Sequence, residues 1–392
     1  MTQMTVIAAS GLGLRDLRLA AAGPLSLDKS GRLRESGQAK IEASAGLRPS
    51  SDVVTVLDRT IARRPATRTL GAALVAVTML LTACSGSPST PDTPGAEAAT
   101  TIRMGIQPWI GYGQWHVAND QGISAKHNID VELTELTDDA DQSAAFASGR
   151  IDMDNIASHT ALLLISQGID LQIVAIEDFS TTADAILARG DITSAADLKG
   201  KRVAYEQGAT SDLLLHAALA SAGLTIDDII PVPMGASEAG TALIGNRVDV
   251  AVTYEPYITA ALASDPSVQR VYDAAQNPGL ISDVLVTSGK FAAANPDAVR
   301  RAVAAWNEAA DWYKANPEQG RAIISKAVGE NPDALSSAFD GVQYYGSAEN
   351  AAEFAGSYTT TTLPLVMRAA KEAGLLAADV DLSKATDPQY LG

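Results

Sequence analysis

The chain has 392 residues, enough for two domains with a sizeable core. Its 46 Asp+Glu against 29 Lys+Arg give a net charge of −17, which makes it a poor partner for nucleic acid, whose binding rewards phosphate neutralisation. One cysteine leaves no partner for an internal disulfide, and with aromatics at only 5% any cluster of them carries weight.

Residues 1–60 are polar, mixed in charge and without sustained periodicity, so they read as disordered or as a leader from a start codon placed too early. The true start is then expected among Val53, Val54 and Val56. Residues 61–83 read as a signal peptide: Arg63, Arg64 and Arg68 precede an apolar run from Leu70 to Leu81. That run, about 12 residues, is too short to span a bilayer comfortably. Leu81-Thr82-Ala83-Cys84 resembles the bacterial lipobox. The resemblance implies a lipid on Cys84 and an extracytoplasmic domain anchored to the cytoplasmic membrane. The competing reading is a buried free cysteine after a single membrane-spanning helix. Residues 1–83 hold 11 Lys+Arg and 6 Asp+Glu, which leaves 18 basic and 40 acidic residues beyond them. Residues 84–101 are rich in Ser, Pro, Thr and Gly and read as a flexible tether.

From residue 102 strands and helices alternate. Ile102–Ile106, Val131–Leu136, Ile151–Ile156, Leu171–Ile176, Asp184–Ala188, Arg202–Glu206, Ile229–Pro233 and Val248–Tyr254 read as strands. Between them, Gln114–Lys126, a segment capped by Thr137, Thr160–Gln167, Ser211–Ala222 and Ser237–Ile244 read as helices. This alternation predicts an α/β fold with largely parallel sheets. The last third is helical. Asn295-Pro296, Asn316-Pro317 and Asn331-Pro332 each set an N-cap residue before a first-turn proline. Val299, Val303, Trp306, Ala310 and Tyr313 then share one helical face, expected to pack inward.

Familiar catalytic signals are missing. The four histidines, His116, His127, His159 and His216, lack metal-ligand spacing. Gly200-Lys201 is not preceded by a P-loop pattern, and no Gly-x-Ser-x-Gly elbow occurs. Neither an enzyme, a metal nor a cofactor is expected.

Several segments occur in a recognisable order: Gly105-Ile-Gln-Pro-Trp109, Ala147-Ser-Gly-Arg-Ile-Asp152, Asp197-Leu-Lys-Gly-Lys201, Tyr205-Glu-Gln-Gly-Ala-Thr-Ser211, Val248-Asp-Val-Ala251 leading to Glu255-Pro256, and Phe291-Ala-Ala-Ala-Asn-Pro296. Together they resemble the solute-binding proteins for nitrate, aliphatic sulfonates and taurine, relatives of the thiamine-pyrimidine precursor binders. Tyr254 stands where that pattern often has Trp, and Ala209 follows Gly208 where it often has Ser. The resemblance implies a periplasmic-binding-protein type II fold with two α/β lobes and a cleft between them. Residues 102–188 plus 283–392 would form lobe one and 189–282 lobe two. Ala185–Arg189 and Asp283–Thr287 would be the hinge strands.

Ligands of open α/β sheets sit at the carboxyl ends of strands. That nominates Gln107, Trp109 and Tyr112 after the first strand, Ser158, His159 and Thr160 after the third, and Asp178 after the fourth. In lobe two it nominates Gly208, Ala209, Thr210, Ser211, Tyr254 and Glu255. Gly208–Ser211 opens a helix whose free N–H groups could hold an oxyanion, with ordinary capping as the bland alternative. Trp109 or Tyr112 would wall a small ligand, while Trp115 packs inward. Asp178, Glu255 and Asp283 could equally be solvated or hinge-pairing carboxylates.

The implied function is capture of a sulfonate, taurine or nitrate-like solute for an ABC permease and its ATPase by a monomeric lipoprotein. The nominated loops carry acids and no Lys or Arg, so a zwitterion suits them better than a bare anion. A pyrimidine or urea-like nitrogen compound is the alternative. Remote alternatives are a pyrimidine synthase-like enzyme, disfavoured by the lack of a cysteine-rich motif, and a purely structural surface lipoprotein.

Overall fold

The computed structural model describes residues 98–391. The expected leader 1–60, signal 61–83, lipidation at Cys84 and tether up to residue 97 lie outside the described residues. Among the described residues no helix is long and apolar enough to cross a membrane.

Two mixed sheets organise the chain. The first contains β1 (Thr100–Ile106), β2 (Ile129–Glu135), β3 (Met153–Ala157), β4 (Leu171–Ser180), and two late strands, β10 (Ser282–Ser288) and β11 (Val342–Tyr344). The second contains β5 (Asp184–Arg189), β6 (Arg202–Tyr205), β7 (Ile230–Pro233), β8 (Val250–Tyr254) and β9 (Val268–Asp273). Their orders are β11-β4-β10-β3-β1-β2 and β7-β6-β8-β5-β9. The chain leaves the first sheet after Ser180 and enters the second at Asp184; it returns between Asp273 and Ser282. Ala185–Arg189, nominated as a hinge strand, lies inside the second sheet, antiparallel to both β8 and β9. β10 runs antiparallel to β3 and β4, so neither sheet is wholly parallel.

The strands form where the pattern demands burial. Ile129 and Val131 of β2 point inward while Asp130 and Glu132 face water; β5 and β8 are buried along nearly their whole length, as strands covered on both faces must be. Helices fill the connections: α1 (Gln114–Asp120), α2 (Ile123–Lys126), α3 (Asp139–Ala147), α4 (Ser158–Ser166), α5 (Thr210–Ser221) and α6 (Ala236–Ile244). Expected as one helix, 114–126 is two, because Gly122 turns left-handed at φ +68° and ends α1. Asp138, not Thr137, caps α3 by accepting from the Asp141 N–H at 3.0 Å.

Beyond β10, the helix Pro296–Ala315 buries Val299, Val303, Trp306, Ala310 and Tyr313 as its spacing predicts. Trp306 meets Trp115 at 5.7 Å between ring centroids, anchoring this helix over the first sheet. Asn331 accepts from the Asp333 N–H in a true cap, whereas Asn295 and Asn316 make no side-chain cap bond. At those two positions φ near −135° carries one helix into the next.

Candidate functional site

Loops at the carboxyl ends of strands from both sheets converge on one cavity with about 30 Å³ of free space. β1 delivers Gln107, Trp109 and Tyr112 to it. Trp109 donates from Nε1 to Asp178 Oδ2 at 3.3 Å, and Tyr112 donates its hydroxyl to Asp283 Oδ1 at 3.2 Å. The loop can pack this tightly because residue 111 is glycine. A Cβ there would lie 1.9 Å from Trp109 Nε1 and 2.2 Å from Asp178 Oδ2. From β8, Tyr254 sets its ring edge-on to Trp109 at 5.7 Å and 86°, and Tyr257 extends the aromatic row at 5.4 Å. The aromatic wall therefore joins the loops of the two sheets.

Acidic side chains share the lining with these rings. Asp139, Asp184, Glu206 and Asp283 all line the cavity, and no Lys or Arg does. Asp283 lies directly across from Asp178 in the β10–β4 pairing. Burial, reinforced by the charge of Asp184, pushes the Asp283 carboxyl up to about 8. Burial pushes Asp184 up to about 7, and burial with the neighbouring Asp139 does the same to Glu206. Asp178 is also raised well above the ordinary carboxylate range, first by burial and then by Asp283. Dehydration and neighbouring like charges penalise the ionised form of each group, which is the cause of these upward shifts.

Of the nominated residues, Ala209, Thr210 and Ser211 join Gln107, Trp109, Tyr112 and Tyr254 in the lining. The other six sit outside it. Ser158 bonds Ser282 Oγ and the Tyr358 hydroxyl, each at 2.8 Å, and serves the interior of the first lobe. Thr160 donates to Asp139 Oδ2 at 3.3 Å and so orients a lining carboxylate. His159 is 3% exposed, and burial lowers its pKa below the ordinary imidazole value. Asp178 stands behind Trp109, holding the indole in place. Gly208 turns left-handed at φ +87°, and its N–H is taken by Asp212 Oδ2 at 2.9 Å rather than offered to the cavity. Glu255 turns away to Arg270 at 3.2 Å and to the Thr259 N–H at 3.0 Å.

The lining also includes Asp139, Ala236, Ile281 and Asp184, which sequence reading passed over, Glu206, which it placed at a strand end, and Asp283, which it read as a solvated or hinge-pairing carboxylate. Asp139 and Ala236 each open a helix after a strand end, the position that nominated the other loops. Asp184 opens a buried apolar strand, and a lone carboxylate there was the available signal. Among the described residues no three His, Cys, Asp or Glu side chains are grouped closely enough to hold a metal ion. The cavity thus combines an aromatic wall, a set of acidic side chains and a small space.

The family described as NMT1/THI5 like matches residues 112–320. A protein of Brucella abortus (strain 2308) named as a binding protein is 30% identical over 231 residues, which cover 57% of this chain and 70% of the relative. Among solved structures, the alkanesulfonate-binding protein from Xanthomonas axonopodis pv. citri, bound to MOPS, matches with TM-score 0.62 at 20% identity, over 75% of this chain and 100% of the other. The periplasmic nitrate-binding protein from Synechocystis PCC 6803 matches with TM-score 0.63 at 15% identity, over 75% and 88%. The fold is the two-lobed periplasmic-binding-protein fold expected from the sequence.

Proposed function

The chain belongs to the NMT1/THI5-like family, and on that premise we propose that it is a solute receptor that captures a nitrogen-donor-rich small molecule between its lobes. The observation that carries this reading is the lining: four carboxylates and three aromatic rings, without a single basic side chain. A protonated amine, an aminopyrimidine or a urea-like compound gives such acceptors N–H donors, and a positive charge gains from both the carboxylates and the ring faces. A nitrate or simple sulfonate brings a second negative charge into the same space and finds no counter-ion. The pyrimidine or urea-like alternative therefore ranks above the sulfonate and nitrate reading suggested first by family resemblance.

A zwitterion such as taurine is the second reading. It draws on Thr210 and Ser211, which line the cavity in the first turn of α5, where backbone N–H groups lack helical partners. In either case the lobes divide near 181–183 and 274–281, where the chain passes between sheets. Opening there admits the solute, and closing brings Tyr254 against Trp109. The protein acts as a receptor rather than an enzyme. It hands its solute to an ABC permease and ATPase, and Cys84 carries the lipid that keeps it at the extracytoplasmic face of the membrane.

A thermal-shift panel on the full chain tests the ligand class, since a molecule that binds only the folded state raises the melting temperature by mass action. 4-Aminopyrimidine, methylguanidinium or urea is expected to give a shift of several degrees, with taurine smaller and nitrate without effect. A shift confined to nitrate and alkanesulfonates would overturn the ranking.

A further inference from the structure

We propose that Glu206 is a built-in anion: its carboxylate occupies, between two helix N-termini from opposite lobes, the seat an anionic ligand group would take, and so sets the site's preference against anions. This rests on the receptor reading above and names the residue that decides its ligand class.

The geometry is specific to this side chain. Glu206 follows β6 in the second lobe and lines the cavity. Its Oε1 accepts from the backbone N–H of Asp139, the first residue of α3 in the first lobe, at 2.8 Å. Its Oε2 accepts from the backbone N–H of Ala236, the first residue of α6 in the second lobe, at 3.2 Å. One carboxylate thus bridges the lobes and uses, on each side, a first-turn N–H that no helical carbonyl can satisfy. Helix N-termini favour negative charge through those free N–H groups and the helix dipole. Here the favoured charge is covalently part of the chain. A sulfonate or carboxylate group seeking these two N–H groups would have to displace Glu206 and then share the cavity with Asp139 and Asp184.

The neighbouring groups reinforce the arrangement. Gln107 Nε2 donates to Asp139 Oδ1 at 2.6 Å and Thr160 donates to Oδ2, so Asp139 is held with its N–H aimed across the cleft. Ser211 Oγ accepts from the Glu206 N–H at 2.9 Å and fixes the Glu206 backbone. Within the same loop, Asp212 Oδ2 takes the Gly208 N–H at 2.9 Å. Burial holds the Glu206 carboxyl near 7, so a cation entering the cavity would favour its ionised form and strengthen both bonds across the cleft.

Glu206→Ala removes the carboxylate and one methylene, a space that acetate matches. In the full-length variant, acetate and methanesulfonate are expected to raise the melting temperature saturably by several degrees. Calorimetry should show at least a tenfold gain in affinity for methanesulfonate over the parent protein. The parent is expected to show neither effect at equal ionic strength. Glu206→Gln, which keeps the bulk and one acceptor, is expected to gain less than Glu206→Ala, and it serves in its place if the alanine variant does not fold. A folded Glu206→Ala protein indifferent to both anions would overturn the assignment, as would parent protein that binds methanesulfonate as tightly as the variant. Binding of 4-aminopyrimidine to the parent is scored separately. Its failure would count against the ligand class while leaving an acetate effect in the variant as evidence for the Glu206 seat.

Discussion

Asp184 shows how single residues divide the work of stability and binding. Its carboxyl is buried at 5% exposure and held up at about 7, chiefly by burial. In the unfolded chain an Asp ionises near 3.9. As pH rises from about 4 to 7, the unfolded state therefore gives up this proton before the folded state does, and folding stability falls through that window. Asp184→Asn has no proton to lose. It is expected to raise the melting temperature by roughly 2–4 °C at pH 8, with little gain at pH 4 and a rise between, and to weaken binding of 4-aminopyrimidine. Melting curves of both proteins across pH check the first part, and a gain that shrinks as pH rises would contradict it. Gly111 makes the complementary point. The motif around Gly105–Trp109 drew attention to the loop, but the reason residue 111 must be glycine is a contact with Trp109 and Asp178, and Asp178 lies 67 positions further along the chain. Proximity of that kind leaves no local trace in a sequence.

At the scale of elements, period and punctuation carried most of the strands and helices. Hydrophobic alternation marks β2, and the apolar stripe marks the helix Pro296–Ala315. Where the reading failed, tertiary geometry decided. A single left-handed glycine divided the helix at 114–126, and β9, with only Val268 and Tyr272 buried, forms because β5 offers it an edge. Edge pairing also explains Arg270. Standing on β9, it reaches Glu255, which is 1% exposed, and the carbonyl of Thr182 in the crossing between the sheets. The guanidinium thus ties the end of β8 to the segment where the lobes divide. Arg270→Ala leaves the buried Glu255 carboxylate without its partly exposed counter-ion, and losing a charged hydrogen bond of this kind costs about 1–2 kcal/mol. Urea unfolding of the variant should show that loss at pH 8 and a smaller one at pH 5, where Glu255, its pKa raised by burial, more readily takes up a proton. Equal losses at both pH values would contradict this role.

For the whole molecule, topology places the cavity and chemistry selects what enters it. Two sheets joined by two crossings bring the carboxyl ends of their strands face to face, so residues from 107 to 283 share one small space. The order of short segments along the chain was enough to read this architecture and seven of the lining residues. It could not show which loop carboxylates turn inward, because Asp178 and Glu255 have the same chemistry as Asp139 and Asp283 and differ only in their packing. The inward set makes the cleft an acceptor-rich, acidic site walled by aromatic rings, with Glu206 already seated where an anion would go. The most direct test is calorimetric titration of the full chain at pH 7 with 4-aminopyrimidine and with methanesulfonate under matched ionic strength. Saturable binding of 4-aminopyrimidine with no heat from methanesulfonate is the predicted result. Tighter binding of methanesulfonate than of 4-aminopyrimidine would contradict it.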